Sequence, residues 1–255
     1  MYLEQFSSAL EEKWRGSLFK VEDAKEVDAR AKEYLHRLAR LGRVKKVYWG
    51  WYYVPEEQKD VWDFLEGDKG FKVLIKQTAA SLWNYDFVHR NVYRLAVEDV
   101  SYKKALESYG KEKGWFFEVE RYDEIPFEYR RVDGLFIEAP ESSIVSCMAE
   151  WNFLDAFATL YFRKDEISFS KLRKLARWTR IAGTDTRVWN ALKYGCRLFN
   201  EKTGKMVCDV RSTKLRRDDV RELVEEAVEK VTEFAGEDRR DHSPLKTYLE
   251  KAGRL

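Results

Sequence analysis

Apolar positions in the first 25 residues recur at the spacing of amphipathic helices. The first stripe consists of Leu3, Phe6, Leu10 and Trp14. It predicts a helix within YLEQFSSALEEKW, and Gly16 is expected to end that helix. The next stretch, LFKVEDAKEV, predicts a short extended segment and then a second, short helix.

A third helix is predicted within ARAKEYLHRLARL, with Asp28 as the N-cap that accepts hydrogen bonds from free N–H groups. Its expected buried stripe is Ala31, Leu35, Leu38 and Leu41. Gly42 should end the helix in a left-handed conformation. Residues 44–54 predict a hairpin that turns at Gly50 and ends before Pro55. Three helices followed by a hairpin are typical of a winged helix-turn-helix domain.

The remaining chain predicts a mixture of strands and helices after the polar linker EEQKD. FKVLIK, WFFEVERY and VDGLFIEA are predicted strands, TAASLWNYDFVHR is a predicted helix, and the chain is mainly helical from Glu141 onward. We therefore expect an α+β fold in three parts. These are a winged helix-turn-helix domain over 1–57, a mixed, mainly helical domain with a small sheet over 61–204, and a charged helical tail over 205–255.

The helix predicted in the tail has a narrow apolar seam. Its members are Val220, Leu223, Val224, Ala227, Val228, Val231 and Phe234. Such a seam packs either on its own chain or against a second copy, and helix-turn-helix proteins commonly bind DNA as dimers. A homodimer is therefore one expected assembly.

The composition is that of a globular protein without a membrane-spanning segment. Of the 255 residues, 44% are apolar, and no apolar run approaches the roughly 20 residues that span a bilayer. The first twenty residues lack the apolar core of a signal peptide, so a cytoplasmic protein is expected. Three separated cysteines, Cys147, Cys196 and Cys208, argue against a disulfide framework and a zinc site. No cofactor is expected.

Charged residues make up 36% of the chain and are strongly segregated. Residues 163–217 contain 16 basic and 5 acidic side chains, a net charge of +11, although the whole chain carries only +2. Residues 61–162 carry −6, with 12 basic and 18 acidic side chains. The many charges, together with three glutamines and five asparagines, are typical of a thermophile's protein.

Basic and aromatic side chains in the third helix and the hairpin indicate binding to double-stranded DNA. Residues 25–46 hold eight basic and three acidic side chains. A helix of this kind fits the major groove, where arginine binds guanine, and flanking cations neutralise phosphates. The candidate DNA-binding residues are Lys25, Arg30, Lys32, His36, Arg37, Arg40, Arg43, Lys45, Lys46 and Trp49.

A second basic stretch, SFSKLRKLARWTRIAG, predicts another helix with a cationic outer face. Its candidate binding residues are Lys171, Arg173, Lys174, Arg177 and Arg180. Arg173, Arg177 and Arg180 are expected to form one row on that helix. The surface could bind nucleic acid or an acidic protein, and it could also be neutralised by acidic regions of the same chain.

No motif for catalysis is found in the sequence. Glycine-rich phosphate loops and the GxSxG motif are absent. Nucleases with a metal-binding carboxylate core place an Asp and then a Glu-x-Lys set on adjacent strands. Asp133 and Glu138 lie on one predicted strand, and Ala139 and Pro140 follow Glu138, so the lysine of such a set is missing. A metal-dependent nuclease is therefore only a weak alternative, and the protein is not expected to be an enzyme.

Two stretches of the sequence resemble a known family. AKEYLHRLARLGRVKKVYWGWYYVP is similar to the winged helix of the AbiEi-like antitoxins, which are transcriptional regulators of type IV toxin–antitoxin systems. VDGLFIEAPESSIVSCMAEWNFLDAFATLYF resembles the family's strand, Pro-Glu step and following helix, and a helical stretch over 168–199 follows as in the family. The sequence departs from the family at Cys147, where its members often have an aspartate.

The resemblance implies two activities. The winged domain would bind operator DNA and repress the protein's own operon. The C-terminal region would neutralise a partner toxin of the nucleotidyltransferase class, so a protein-interaction module is the main alternative to a DNA-binding regulator. The last 50 residues have no counterpart in this resemblance.

Overall fold

The computed structural model describes residues 2–56, 60–67, 73–87, 92–122, 128–132, 135–204, 206, 208 and 214–234. The helices in these residues are α1 (Leu3–Trp14), α2 (Val21–Lys25), α3 (Ala31–Arg40), α4 (Val61–Gly67), α5 (Ala79–Trp83), α6 (Val100–Lys113), α7 (Pro140–Ala149), α8 (Phe153–Phe162), α9 (Phe169–Ala176), α10 (Val188–Thr203) and α11 (Asp218–Glu233). The strands are β1 (Leu18–Lys20), β2 (Lys45–Tyr48), β3 (Trp51–Tyr53), β4 (Val73–Ile75), β5 (Val92–Val97), β6 (Phe116–Arg121), β7 (Tyr129–Val132) and β8 (Leu135–Glu138). The fold is α+β, as predicted.

The chain divides into two compact units by the density of its internal packing. Unit 1 contains Met1–Leu74, Asn91–Glu124 and Asp133–Phe136, and unit 2 contains Ile75–Arg90, Ile125–Val132 and Ile137–Leu255. These units interleave along the chain. This division does not test whether the predicted domains, 1–57, 61–204 and 205–255, fold independently, so their boundaries stay predictions.

The core of unit 1 begins with the apolar faces of α1 and α3. Phe6 and Leu10 of α1 are fully buried, as are Leu35 and Leu38 of α3. The predicted α1 stripe is confirmed for Phe6, Leu10 and Trp14. The α3 stripe is wrong at its end, because α3 stops at Arg40 and Leu41 is 62% exposed. Tyr34 is buried instead and packs 5.1 Å from Phe6 between ring centroids.

The predicted hairpin is present and belongs to a three-stranded antiparallel sheet with the order β1-β3-β2. Gly50 turns the hairpin at φ +74°, and Gly42 has φ +71° just after α3. A side chain at either position would be strained in this left-handed region. Asp28 lies two residues before the N-cap, which is Arg30, so its predicted role as the N-cap is wrong. Its Oδ1 atom nevertheless accepts a hydrogen bond from the Arg30 backbone N–H at 2.8 Å.

Helix α6 covers one face of this hairpin within unit 1. The ring of Trp51 lies 5.2 Å from that of Tyr102, and Tyr53 meets Tyr109 edge-on at 4.9 Å. Each such aromatic pair contributes about 0.5–1.5 kcal/mol beyond the burial of its area. The sequence patterns had not predicted α6, nor strand β5, which pairs in parallel with β6. Strand β4 is the next neighbour of β5.

Unit 2 is built around the apolar helices α7, α8, α10 and α11. Phe157 of α8 is fully buried and lies 5.7 Å from the ring of Phe199 of α10. Five members of the predicted α11 seam are buried in the same core, Val220, Val224, Ala227, Val228 and Val231. Most of the seam is therefore used within the chain, while Leu223 and Phe234 are 39% and 36% exposed.

Two predicted helices are shorter than expected. The helix predicted from 78 to 90 ends at Trp83, because Asn84 ends α5 and Tyr85 and Asp86 have φ of 57° and 55°. His89, also in that prediction, lies outside the described residues. The helix predicted from 168 to 183 ends at Ala176. None of the described helices has the length and apolar character that a bilayer span requires.

The expectation of three separate cysteines is wrong for two of them. Cys196 and Cys208 form a disulfide across 12 positions, with Cα atoms 5.6 Å apart. Gly204 ends α10 in a left-handed conformation, and the side-chain amide of Asn200 then donates to the Cys208 carbonyl at 2.9 Å. This reversal of the chain brings the two cysteines together. Cys147 remains a free, buried thiol.

Candidate nucleic-acid interface

All ten candidate DNA-binding side chains of unit 1 are exposed. Three of them, Lys32, His36 and Arg40, recur every four residues along α3 and therefore lie in one row on its surface. Within the described part of the chain these side chains make no hydrogen bond, ion pair or ring contact. The row opposes the buried face of α3, so it presents its polar groups outward over more than two helical turns.

The neighbouring cations of α3 are paired within unit 1. Arg37 donates to Glu33 one turn earlier at 2.6 Å. Arg30 is held more firmly, because Asp28 accepts hydrogen bonds from its backbone N–H and from its guanidinium. These bonds, the backbone bond first, lower the pKa of Asp28. The guanidinium also lies 5.0 Å from the Tyr34 ring centroid, so Arg30 is the least available of the predicted α3 residues.

Three other candidates have acidic partners in unit 1. Arg43 pairs with Glu4 at 2.5 Å, Lys45 pairs with Glu112 of α6 at 2.7 Å, and Lys25 lies 4.0 Å from Glu22. The hydrogen bond to Glu112 is the main cause of a raised pKa for Lys45. These side chains are exposed, so their ion pairs are screened by solvent and contribute little to stability.

The tip of the hairpin carries the remaining two candidates. Trp49 is 83% exposed, next to Gly50 at the turn. Lys46 of β2 is exposed and has no side-chain partner among the residues that the structure describes. Of the five hairpin aromatics, Trp51 and Tyr53 are buried and Tyr52 stacks with Phe19 at 6.3 Å. Tyr48 is half-buried, so Trp49 is the most exposed of the five.

A second cationic surface lies in unit 2 on α9 and on the turn that follows it. We define the α9 surface by the side chains of Lys171, Arg173, Lys174, Arg177, Trp178, Arg180 and Arg187. Leu172 and Ala176 are fully buried beneath it. The predicted row of three arginines on one helix is wrong for Arg180, because α9 ends at Ala176 and Arg180 forms a β-bridge with Arg187.

Two members of the α9 surface were not among the predicted site residues. Trp178 is 70% exposed, and the Arg177 guanidinium lies 5.2 Å from its ring centroid. Arg187 donates from its guanidinium to the Trp178 backbone carbonyl at 2.8 Å. The tryptophan stands inside the basic run of the sequence, so that run was the signal for it. Arg187 joins this surface only because the chain turns between α9 and α10, and nothing in the sequence around it indicates this position.

The structure places only one of the two candidate residues for nuclease chemistry. Asp133 lies outside the described residues. Glu138 is 1% exposed and accepts a hydrogen bond from the Ser146 hydroxyl at 2.8 Å. Within the part of the chain that the structure describes, no group of three or more His, Cys, Asp or Glu side chains is arranged to hold a metal ion.

Comparisons with known proteins do not assign the chain to a family. No protein-family model, no curated protein and no solved structure matches the chain. The resemblance to AbiEi-like antitoxins therefore stays a prediction, and any functional argument depends on the two surfaces themselves.

Proposed function

We propose that residues 1–57, which lie in unit 1, are a DNA-binding module of the winged-helix type and that the protein is a transcriptional regulator similar to the AbiEi-type antitoxins. The observation that carries the proposal is the outward row of Lys32, His36 and Arg40 on α3, beside a hairpin with exposed Lys46 and Trp49. The order of the elements, α1-β1-α2-α3-β2-β3, supports the proposal, because three helices followed by a hairpin are typical of that domain. In this proposal α3 enters the major groove and the hairpin contacts the backbone beside it.

The ion pairs around the row do not prevent this binding. An exposed pair at i,i+4, such as Arg37 with Glu33, contributes only about 0.3–0.5 kcal/mol. A good bidentate contact between an arginine and guanine contributes about 1–3 kcal/mol of discrimination. A contact between Arg37 and a guanine base is therefore more favourable than the ion pair that Arg37 makes with Glu33. Arg30 would have to give up its hydrogen bonds to Asp28 and its contact with the Tyr34 ring, so we do not assign it a base contact.

The proposed regulator would bind DNA upstream of its own gene and act in the cytoplasm. The Cys196–Cys208 disulfide is unusual for that compartment, except in intracellular proteins of hyperthermophiles. The thermophile-like composition supports that exception. A cytoplasmic location is therefore part of the proposal.

The experiment measures binding of the full chain to a labelled duplex taken from upstream of its gene, at physiological salt. The double variant Lys32→Gln/Arg40→Gln should bind at least about tenfold more weakly, since each residue contributes a base or phosphate contact. Its affinity should also depend less steeply on salt, by about 0.9 in the logarithmic slope for each phosphate that the variant no longer neutralises.

The matched control is Lys13→Gln/Arg15→Gln, which removes the same charge from exposed side chains of unit 1 outside α3. It should change the affinity by less than about threefold. Equal losses for the two double variants would show that only net charge matters. In that case α3 would not be the recognition helix.

The alternative function is neutralisation of a partner protein, such as a nucleotidyltransferase toxin, through unit 2. The net charge of +11 over 163–217 favours an acidic partner of some kind. Co-purification of an acidic protein, together with duplex affinity that does not depend on salt, would support this function over the regulator.

A further inference from the structure

The α9 surface has more positive charge than the chain neutralises locally. Lys171 pairs with Glu128 at 2.8 Å, and Arg180 pairs with Asp185 at 3.2 Å. Arg173 and Lys174 are exposed and have no side-chain partner within the described residues. Among those residues, the six cations of the surface share two paired carboxylates. Like charges at this density favour a polyanionic partner.

Trp178 gives this surface a second property. Its indole is 70% exposed within a basic stretch of the sequence, with the Arg177 guanidinium 5.2 Å from the ring centroid. The backbone at Trp178 is fixed by the guanidinium of Arg187, which donates to its carbonyl. The ring is therefore presented from a defined turn between α9 and α10, with Arg177 beside it and Arg187 at its backbone.

Three kinds of polyanion differ in what they offer such a surface. A DNA duplex presents phosphates but keeps its base faces stacked inside the helix. An acidic protein presents carboxylates, which have no attraction to an indole face. A single strand presents phosphates and unpaired bases together, and bases stack readily on exposed aromatic rings.

We propose that the α9 surface binds single-stranded nucleic acid. Trp178 stacks on an unpaired base, and Arg173, Lys174 and Arg177 neutralise the flanking phosphates. Stacking is tolerant of base identity, so the surface should show little sequence preference. This activity is separate from the duplex binding proposed for α3, and either can fail without the other.

The test uses the full chain with the substitutions Lys32→Gln/Arg40→Gln as background, so that the α3 surface contributes little. The probe is a fluorescein-labelled oligothymidylate of about 16 nucleotides, followed by anisotropy. Trp178→Ala should weaken binding about tenfold, whereas Trp178→Phe should retain most of the affinity because its ring still stacks. Both variants should melt at the background temperature, since the side chain is largely exposed.

The cationic part of the surface is tested with Arg173→Gln/Lys174→Gln. This change should lower the salt dependence of binding by about 0.7 in the logarithmic slope for each phosphate that is no longer neutralised. The matched control is Lys202→Gln/Lys230→Gln, which removes two exposed lysines of α10 and α11 and should leave the slope unchanged.

Several results would overturn the proposal. One is an affinity for the single strand that Trp178→Ala changes by less than twofold. Another is equal competition by an unlabelled duplex of the same length, which would assign the surface to duplex backbone. The third is absence of binding to the single strand together with capture of an acidic protein that Arg173→Gln/Lys174→Gln abolishes, which would assign it to a protein partner.

Discussion

The Nζ atom of Lys20 lies 2.5 Å from Oδ2 of Asp99, so the last residue of β1 is ion-paired with the N-cap of α6. The same aspartate accepts hydrogen bonds from the backbone N–H groups of Ser101 and Tyr102 at 2.6 and 3.2 Å. Lys20 also lies 5.0 Å from the Trp51 ring centroid. One carboxylate therefore caps α6 and connects it to the sheet that carries the hairpin.

Replacement of this carboxylate should destabilise unit 1. Asp99→Ala removes the cap and the ion pair, and we expect a loss of about 1–2 kcal/mol in the free energy of unfolding. Asp99→Asn keeps an oxygen for the two backbone N–H groups and should cost less. Urea denaturation at neutral pH measures both. A larger loss for Asn than for Ala would contradict the assignment of Asp99 as the N-cap.

The same pair predicts a dependence of stability on acid. Burial alone raises the pKa of Asp99, but the hydrogen bonds from Lys20 and Ser101 outweigh it, so the pKa in the folded protein is lowered. The unfolded chain then binds the proton more readily, and the contribution is present above about pH 4 and is lost as the pH falls through the lowered pKa. The difference between the natural protein and Asp99→Asn should therefore shrink between pH 7 and pH 3. A constant difference over that range would contradict it.

A close approach of two helices in unit 2 makes one glycine irreplaceable. A Cβ atom at Gly195 of α10 would lie 2.2 Å from Cζ of Phe157, which is fully buried in α8. Gly195→Ala gains about 0.5–1 kcal/mol in helix propensity, but overpacking of a core costs about 1–3 kcal/mol. We expect net destabilisation in thermal unfolding. Phe157→Leu in the same chain should recover part of it, and strictly additive losses would contradict direct contact.

The spacing of apolar residues and the positions of glycines predicted elements that depend on nearby residues. Three features that depend on side chains within a few residues lie where the sequence predicts them. They are the α1 stripe at Phe6, Leu10 and Trp14, the glycine that follows α3 and the turn at Gly50. Helix α6 was not predicted, although its buried Tyr102, Ala105, Leu106 and Tyr109 have helical spacing between Asp99 at the N-cap and Gly114 at the end. The sequence did not show that Tyr102 and Tyr109 pack on Trp51 and Tyr53, which are distant along the chain. Local patterns carry no information about such partners.

The sequence predicted which site residues are exposed, but it did not predict which are paired. Lys45 and Glu112 are 67 positions apart and meet only because α6 packs on the hairpin. Arg37 and Glu33, by contrast, stand at i,i+4 spacing that is visible in the sequence. The same reason explains the disulfide, since Cys208 returns to α10 through a chain reversal that spacing alone does not show.

Loss of that disulfide should lower the stability of unit 2. A link that closes a loop of this length contributes about 3 kcal/mol in the chain-entropy account. Cys196→Ala/Cys208→Ala should therefore unfold at lower denaturant, and a reductant should shift the natural protein but leave the variant unchanged. Thiol titration in denaturant should find one free thiol, Cys147. Three free thiols without reductant would contradict the disulfide.

Glu33 supplies a sharp test of the proposed binding of DNA by α3. Its carboxylate holds Arg37 at 2.6 Å and places a negative charge beside the row of Lys32, His36 and Arg40. If that face lies in the major groove, Glu33→Gln removes repulsion from phosphates and releases Arg37, so duplex affinity should rise about two- to fivefold. The control is Glu11→Gln, which breaks a pair of the same i,i+4 kind with Arg15, the C-cap residue of α1. Both variants should lose only a few tenths of a kcal/mol in stability. An equal gain for both would mean that net charge alone governs binding, whereas a loss for Glu33→Gln would mean that the pair itself positions Arg37.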